Sequence, residues 1–261
     1  MKIPRHATPR HAFSLVELSI VLVILGLLTG GILSGQSLIR AAELRSVTTD
    51  FNRYQTSINT FRDKYFALPG DMTNATAFWG IAGGTTGNDN ACYDATSTDA
   101  KTCNGNGDGQ ILGYTLARIN SEPNRAWQQL ANAGLIEGQY NGQAGAVLIA
   151  GTTSPQGRIS SSGYFLVYVA YTGSYGENFS SDSNGNQLIF GVGGGAQFRN
   201  PALKPEEAWN IDTKIDDGKP STGVLQTDTF FGTACYTGAY PTAVYALTTS
   251  SIACNLRLTL R

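Results

Sequence analysis

The chain contains one long apolar stretch, from Phe13 to Ile39, and a single charged side chain, Glu17, interrupts it. About 20 apolar residues are enough for a helix to span a bilayer. An ionised carboxylate at the centre of a bilayer costs about 2.5–3.5 kcal/mol. The stretch therefore predicts a membrane-spanning helix over residues 13–39, and the cost of Glu17 indicates that this carboxylate has a function.

A short basic leader, residues 1–12, precedes the apolar stretch and contains Lys2, Arg5 and Arg10. Positive charges next to a span remain on the cytoplasmic side, so the remainder of the chain is expected to face outward. The apolar stretch is longer than the core of a secretory signal peptide, which has roughly 7–15 residues. We therefore expect it to remain as a membrane span.

Charge and histidine content exclude several classes of protein. The formal net charge is −1, and it becomes −4 when the three positive charges of the leader are removed. A nucleic-acid partner is not indicated, because such proteins carry a basic surplus. Both histidines, His6 and His11, lie in the leader. The processed chain would lack histidine, which excludes Ser-His-Asp and Cys-His catalysis and histidine-ligated metals, so we expect no enzyme.

The apolar pattern continues beyond residue 39 with spacings of three and four, the period of one helix face. We predict a single helix over 13–66, with its first half in the membrane and its second half packed into a head, residues 67–261. A coiled-coil seam between chains is the alternative. Pro69 and Gly70 are expected to end the helix. The stripe consists of Leu44, Val47, Phe51, Tyr54, Ile58, Phe61 and Tyr65.

The head is predicted to be rich in β-structure. Ser121 and Gly134 bracket a short helix over Glu122–Ile136, with Trp127 and Leu130 facing the core. Runs rich in β-branched and aromatic residues, separated by Gly, Ser and Asn, predict strands. We expect an α+β fold in which an antiparallel sheet packs on the long helix. The predicted strands are Ala146–Ala150, Tyr164–Tyr171, Gln187–Val192 and Thr242–Thr248.

The chain has four cysteines, which allow three disulfide pairings. Proximity in the sequence favours Cys92 with Cys103 and Cys235 with Cys254, and the alternative is four free thiols. Disulfides would place the head in an oxidising compartment beyond the inner membrane.

The segment Ala12-Phe13-Ser14-Leu15-Val16-Glu17 resembles the processing site of type IV prepilins and type II secretion pseudopilins. The resemblance covers roughly residues 5–40 and implies cleavage between Ala12 and Phe13 by prepilin peptidase, followed by N-methylation of Phe13. It also implies that Glu17 pairs with the Phe13 amine of a neighbouring subunit during assembly. Alternatively, Glu17 lies in the first helical turn, stabilised by the helix dipole and by headgroups.

Two features depart from the family pattern. The family usually has Gly before the cleavage site, where this chain has Ala12, and many pilins carry a Pro within the first helix. This chain has none between Phe13 and Leu68. Glycines at 30, 31 and 35 are expected to supply flexibility there instead, through a bend or a locally unwound turn, and the alternative is that they permit close packing of helices in lipid.

A loop after Cys103 partly matches a calcium-binding pattern. Asn104, Asn106 and Asp108 place side-chain oxygens at alternate positions before Gly109, and some pseudopilins bind calcium in the head. These three residues form a candidate calcium site, with a Gly/Asn-rich turn as the alternative.

Two further patterns are interpreted structurally. Asp212, Asp216 and Asp217 are expected to form a solvated turn, and residues 191–195 a loop or a bulge.

The resemblance implies a structural subunit of a type IV pilus or a type II secretion pseudopilus, and the large head favours a minor or large subunit. Its partners would be prepilin peptidase, other pilin or pseudopilin subunits, the inner-membrane assembly machinery and the lipid bilayer. The chain would be a single-pass inner-membrane protein with a periplasmic head, and after assembly part of a periplasmic pseudopilus or a cell-surface pilus. The alternative is a membrane-anchored binding module or adhesin that does not polymerise.

Overall fold

The computed structural model describes most of the chain in nine segments. The chain divides into two compact units, a first unit of residues 1–42 and a second unit of residues 43–261. The described residues are 14–83, 86–87, 92, 99–112, 122–143, 149–169, 185–194, 197–227 and 234–260.

The described helices and strands form an α+β arrangement, as predicted. The helices are α1 (Leu15–Tyr65), α2 (Ala75–Trp79), α3 (Glu122–Asn132) and α4 (Pro205–Ile215). The strands are β1 (Ser162–Val169), β2 (Gly185–Gly194), β3 (Gln197–Asn200), β4 (Leu225–Gln226), β5 (Tyr236–Thr237), β6 (Val244–Tyr245) and β7 (Leu256–Thr259).

The long amino-terminal helix is confirmed, and α1 ends one residue before the predicted boundary. Phe66 follows α1 with a left-handed backbone, φ 53°, and Pro69 follows shortly after. The predicted stripe is buried within the second unit, where its residues contact the sheet and α3, so it serves the chain's own core. Its fully buried members are Val47, Phe51, Tyr54, Ile58 and Phe61.

Five strands form an antiparallel sheet in the order β1-β2-β7-β4, with β3 also paired to β2. The register places Tyr164 opposite Phe190 and Leu188 opposite Leu258. β2 continues through Gly194 with a register shift after Val192, so residues 191–194, which were expected to form a loop or a bulge, lie in an irregular strand. Gly195 lies outside the described residues. A separate pair joins β5 to β6.

Aromatic rings join the second part of α1 to both neighbouring layers. The Phe51 ring lies 6.0 Å from the Tyr164 ring of β1, edge to face. The Tyr54 ring lies 4.9 Å from the Tyr164 ring and 5.1 Å from the Trp127 ring of α3. Such pairs add about 0.5–1.5 kcal/mol each beyond burial of area. The core of the second unit is therefore built around α1.

Helix α3 ends at Asn132, earlier than the predicted Ile136, because a glycine cap stops it. Gly134 has φ 71° and donates its N–H to Ala131 O, while Leu135 donates its N–H to Leu130 O. This pattern is a Schellman motif. Trp127 and Leu130 are buried as expected.

Several predicted strands differ from the structure. The run 164–171 begins earlier, at Ser162, and residues 170–171 lie outside the described residues, as does most of 146–150. The predicted strand 242–248 is wrong in length, since only Val244–Tyr245 pair, with β5. Helix α4 and strand β7 were not predicted. The residues on either side of β6 form turns instead of a longer strand. The Thr242 N–H donates to Ala239 O and the Thr249 N–H donates to Ala246 O, each three residues earlier.

Two disulfides crosslink the second unit. They join Cys92 to Cys103 and Cys235 to Cys254, and no cysteine is free. All four cysteines are fully buried. This is the pairing favoured by proximity in the sequence.

Candidate functional site

Glu17 and Ser14 form a variant capping box at the start of α1, in which Ser14 Oγ accepts the N–H of the second helical residue instead of the third. The Ser14 backbone N–H donates to Glu17 Oε2 at 2.9 Å, and the Val16 N–H donates to Ser14 Oγ at 3.3 Å. The first N–H groups of a helix have no intrahelical acceptor, so both bonds satisfy donors that would otherwise be unpaired. The carboxylate is thus oriented toward the amino-terminal end of the helix.

The surface of α1 around and after Glu17 is apolar and exposed. An 18-residue window of α1 has a mean hydropathy of 2.4, and none of it is buried within the chain. By length and composition alone, α1 is the one helix in the described part of the chain that could cross a membrane. An exposed apolar surface of this size marks contact with lipid or protein.

The glycines of this segment do not interrupt α1, which is continuous through them. A Cβ added at Gly26, Gly30, Gly31 or Gly35 would meet nothing within 4 Å. Their lack of a side chain is therefore not required by packing within the chain. In lipid, small residues allow a second helix to approach closely.

The proposed cleavage and methylation positions, Ala12 and Phe13, lie outside the described residues, as does the basic leader. Cleavage and methylation at these positions stay predictions. The first described polar side chains after them are those of Ser14 and Glu17, one and four residues beyond Phe13.

The segment also matches a known family. The family described as the prokaryotic N-terminal methylation motif matches residues 8–33. This segment is a prepilin-type methylation motif. It is the signature of type IV prepilins and pseudopilins, and it includes Ala12, Phe13 and Glu17. No curated protein and no solved structure gave a significant match to the chain.

The prepilin-type motif implies processing by prepilin peptidase and assembly with other pilin subunits. Together with the apolar helix it implies membrane anchoring, and it is typical of structural proteins rather than enzymes. The match ends at residue 33 of a 261-residue chain. The motif therefore describes how the chain is processed and anchored, and the role of the second unit has to be argued from its own residues.

The calcium-candidate loop is folded around an internal carboxylate, that of Asp71. Asp71 is buried and accepts N–H groups from Gly107 at 2.6 Å, Asp108 at 3.1 Å and Gly109 at 2.9 Å. Burial raises the pKa of Asp71, and these amide bonds oppose that effect. Sequence reasoning gave no role to Asp71, because it lies 36 residues before Gly107.

The three candidate calcium ligands already take part in hydrogen bonds. Asn104 Oδ1 accepts the Thr76 N–H at 2.8 Å. Asn106 donates from Nδ2 to Asp108 Oδ2 at 3.0 Å, and Asp108 Oδ1 accepts the Gln110 N–H at 2.8 Å. Calcium binding by this loop stays a prediction.

Asp212, in the last turn of α4, and Asp216 and Asp217, which follow the helix, do not form the solvated turn that was expected. Asp212 is fully buried, and its Oδ2 accepts the Tyr245 hydroxyl at 2.8 Å. Asp216 accepts the N–H groups of Val224 and Leu225, while Asp217 is exposed. The cluster joins α4 to β6 and to the loop before β4, so its observed role is structural.

Proposed function

We propose that the chain is a subunit of a type IV pilus or a type II secretion pseudopilus, and a minor or large subunit rather than a compact major one. Prepilin peptidase cuts between Ala12 and Phe13, and Phe13 is then N-methylated. The subunit is held in the inner membrane by the first part of α1 with its head in the periplasm, and it enters the filament through the same helix.

The position of Glu17 supports this proposal most directly. It is the single carboxylate in an exposed apolar helical surface, and the residues around it match the methylation motif. Pairing with a cation relieves much of the cost of a carboxylate in a medium of low dielectric constant. The capping box holds the Glu17 carboxylate at the amino-terminal end of α1, where the Phe13 amine of a neighbouring subunit is the cation required.

The large second unit supports a minor or large subunit. All of the buried hydrophobic residues in the described part of the chain lie at Val47 or beyond. The second unit thus carries its own core and two disulfides, which suits a domain exposed outside the inner membrane.

The first test is intact mass and amino-terminal sequencing of the protein from its native membrane. We expect a chain that starts at Phe13 with a methylated amino group. A mature chain that retains residues 1–12 would contradict the proposal and would favour a simple membrane-anchored binding module.

The second test concerns assembly. We expect Glu17→Gln to be processed and to fold normally while it is lost from sheared surface filaments or from a pseudopilus preparation. The matched control is Asp63→Asn, which changes an exposed carboxylate on the same helix, within the second unit. Normal assembly of Glu17→Gln would contradict the assigned role of Glu17.

A further inference from the structure

A cleft of about 470 Å³ opens in the second unit beside the end of α3. Small-molecule sites typically occupy roughly 300–1,000 Å³, so the cleft has room for a small ligand. Four short stretches of chain meet there. They are Asp99–Ala100, Ala131–Asn132, Gly138–Asn141 and Gly151–Thr152.

The wall of the cleft is about half polar and half apolar. Asn132, Gln139 and Asn141, which carry side-chain amides, and Thr152, which carries a hydroxyl, are among the lining residues. Each amide carries both donors and an acceptor, as each sugar hydroxyl does. Most small-molecule sites instead have largely apolar walls with a few polar groups. The wall therefore matches a ligand with many hydroxyl groups better than an apolar ligand.

The polar groups retain capacity for a ligand, and the charge of the cleft is compensated. Asn132 donates from Nδ2 to Ala100 O at 2.6 Å, so its Oδ1 is still an acceptor. Asn141 Oδ1 accepts the Gln143 N–H at 3.1 Å, so its Nδ2 is still a donor.

The one carboxylate among the described residues of the wall, Asp99, forms an ion pair with Lys101 at 3.2 Å. A neutral ligand fits such a site better than an ion.

An aromatic ring lies among these polar groups. Tyr140 is half-buried and donates its hydroxyl to Glu137 O at 3.1 Å. Gly138 has φ 99°, and a Cβ there would approach the Tyr140 hydroxyl oxygen to 2.9 Å. Because Gly138 has no side chain, the Tyr140 side chain has room at the position where it lies. An aromatic ring face can bind apolar C–H groups while the polar groups around it bind hydroxyls. A pyranose ring presents both kinds of group, C–H groups on its face and hydroxyls at its edge.

The cleft is held in shape by contacts between its four stretches and the elements behind them. The Asn141 N–H donates to Thr152 O at 3.0 Å, and Gln128 of α3 donates from Nε2 to Lys101 O at 3.0 Å. A preformed site avoids the entropy cost of ordering side chains and loops on binding.

We propose that this cleft is a binding site for a neutral saccharide. The ring of Tyr140 packs against one pyranose face, and the side chains of Asn132, Gln139, Asn141 and Thr152 hydrogen-bond to the hydroxyl groups. Such a site goes beyond filament assembly, because it gives the head a ligand class of its own.

Saturation-transfer difference NMR tests this proposal with the full-length protein in a detergent without a sugar headgroup. The probes are maltose, cellobiose, lactose and N,N′-diacetylchitobiose at millimolar concentration. We expect transfer to the ring protons of at least one of the four. Gln139→Ala and Tyr140→Leu should each weaken that binding by about threefold to tenfold, the worth of one hydrogen bond or one aromatic contact.

Asn52→Ala is the matched control, because it removes an exposed amide on α1 that is not among the residues lining the cleft, and it should leave binding unchanged. Gln139 is exposed, so Gln139→Ala keeps the test valid even where Tyr140→Leu fails to fold. Three outcomes would overturn the proposal: no transfer to any of the four sugars, equal transfer with wild type and Gln139→Ala, or transfer only to an extended neutral Gly-Ser peptide.

Discussion

Asp212 is a carboxylate in the interior of the second unit, and its environment sets its protonation. Burial raises the pKa of Asp212 to about 7, and Asp217 and Asp216 add to the effect, while the bonds from Tyr245 and Gly218 oppose it. In an unfolded chain the pKa would be about 3.9. Between about pH 4 and pH 7 the folded chain therefore holds a proton that the unfolded chain has released.

This difference predicts a pH dependence of stability. The contribution of Asp212 to the free energy of unfolding is fully present below about pH 4 and is lost as the pH rises through about 7. Asp212→Asn stays neutral at every pH, so the thermal midpoint of the variant should depend less on pH over this window. Thermal unfolding of the detergent-solubilised protein measures it, with Asp63→Asn as control. Equal pH profiles for wild type and Asp212→Asn would contradict the prediction.

Calcium binding at Asn104, Asn106 and Asp108 is tested by the same measurement. A ligand that binds only the folded state raises the thermal midpoint with its concentration. If the loop binds calcium, the midpoint rises on addition of calcium chloride to EDTA-treated wild type and rises less for Asp108→Asn. The Asn side chain can still accept the Gln110 N–H, so the loop itself should persist. An unchanged wild-type midpoint would exclude this site.

Residue roles could be predicted from sequence only where their partners are close in the chain. Ser14 and Glu17 form the Ser-x-x-Glu signature of a capping box, so their contact was accessible to sequence reasoning, although it was not predicted. The burial of Asp212 depends on Tyr245, 33 residues away, and the environment of Asp71 depends on a similarly distant loop. No local pattern signals such pairs.

At the scale of elements, the glycine that ends α3 allows a clear test. Gly134 has φ 71°, and a Cβ there would meet nothing within 4 Å, so an alanine would be opposed by backbone strain alone. We expect Gly134→Ala to lower the free energy of unfolding by about 1–2 kcal/mol, the cost of a left-handed L-residue.

The control for this prediction is Gly83→Ala. Gly83 lacks the positive φ and also has nothing within 4 Å of an added Cβ, so its replacement should change stability by less than about 0.5 kcal/mol. Equal thermal midpoints for the two variants would show that the glycine cap does not limit α3.

Elements with a long apolar period were predictable, and short ones were not. α1 repeats its stripe over about six turns, and β1 and β2 are long and rich in apolar residues. β7 has four residues, and its Arg257 is buried, donating to Gln226 Oε1 at 2.7 Å. A charged residue in a run of four residues obscures the apolar pattern by which a strand is predicted, so β7 was missed. α4 carries Pro205 and two acidic residues in its first turn, a start signal that sequence reasoning overlooked.

At the scale of the whole molecule, the distribution of buried residues predicts independent folding of the second unit. The described part of residues 14–42 has no buried side chain, whereas the core begins at Val47. We expect a fragment of residues 43–261 to be monomeric in water, with the near-ultraviolet circular dichroism and thermal midpoint of the full-length chain in detergent. A fragment that aggregates or melts without cooperativity would contradict this prediction.

The position of β7 in the sheet has a consequence for folding during translation. β7 comes after every other described strand in the chain, yet it lies between β2 and β4 and pairs with both. A ribosome must therefore complete residues 256–259 before the sheet can close, although α1, made first, is already available as a surface. Until then the edge of β2 that pairs with β7 is uncovered, so the incomplete chain presents an open strand edge, which is a template for pairing with other chains.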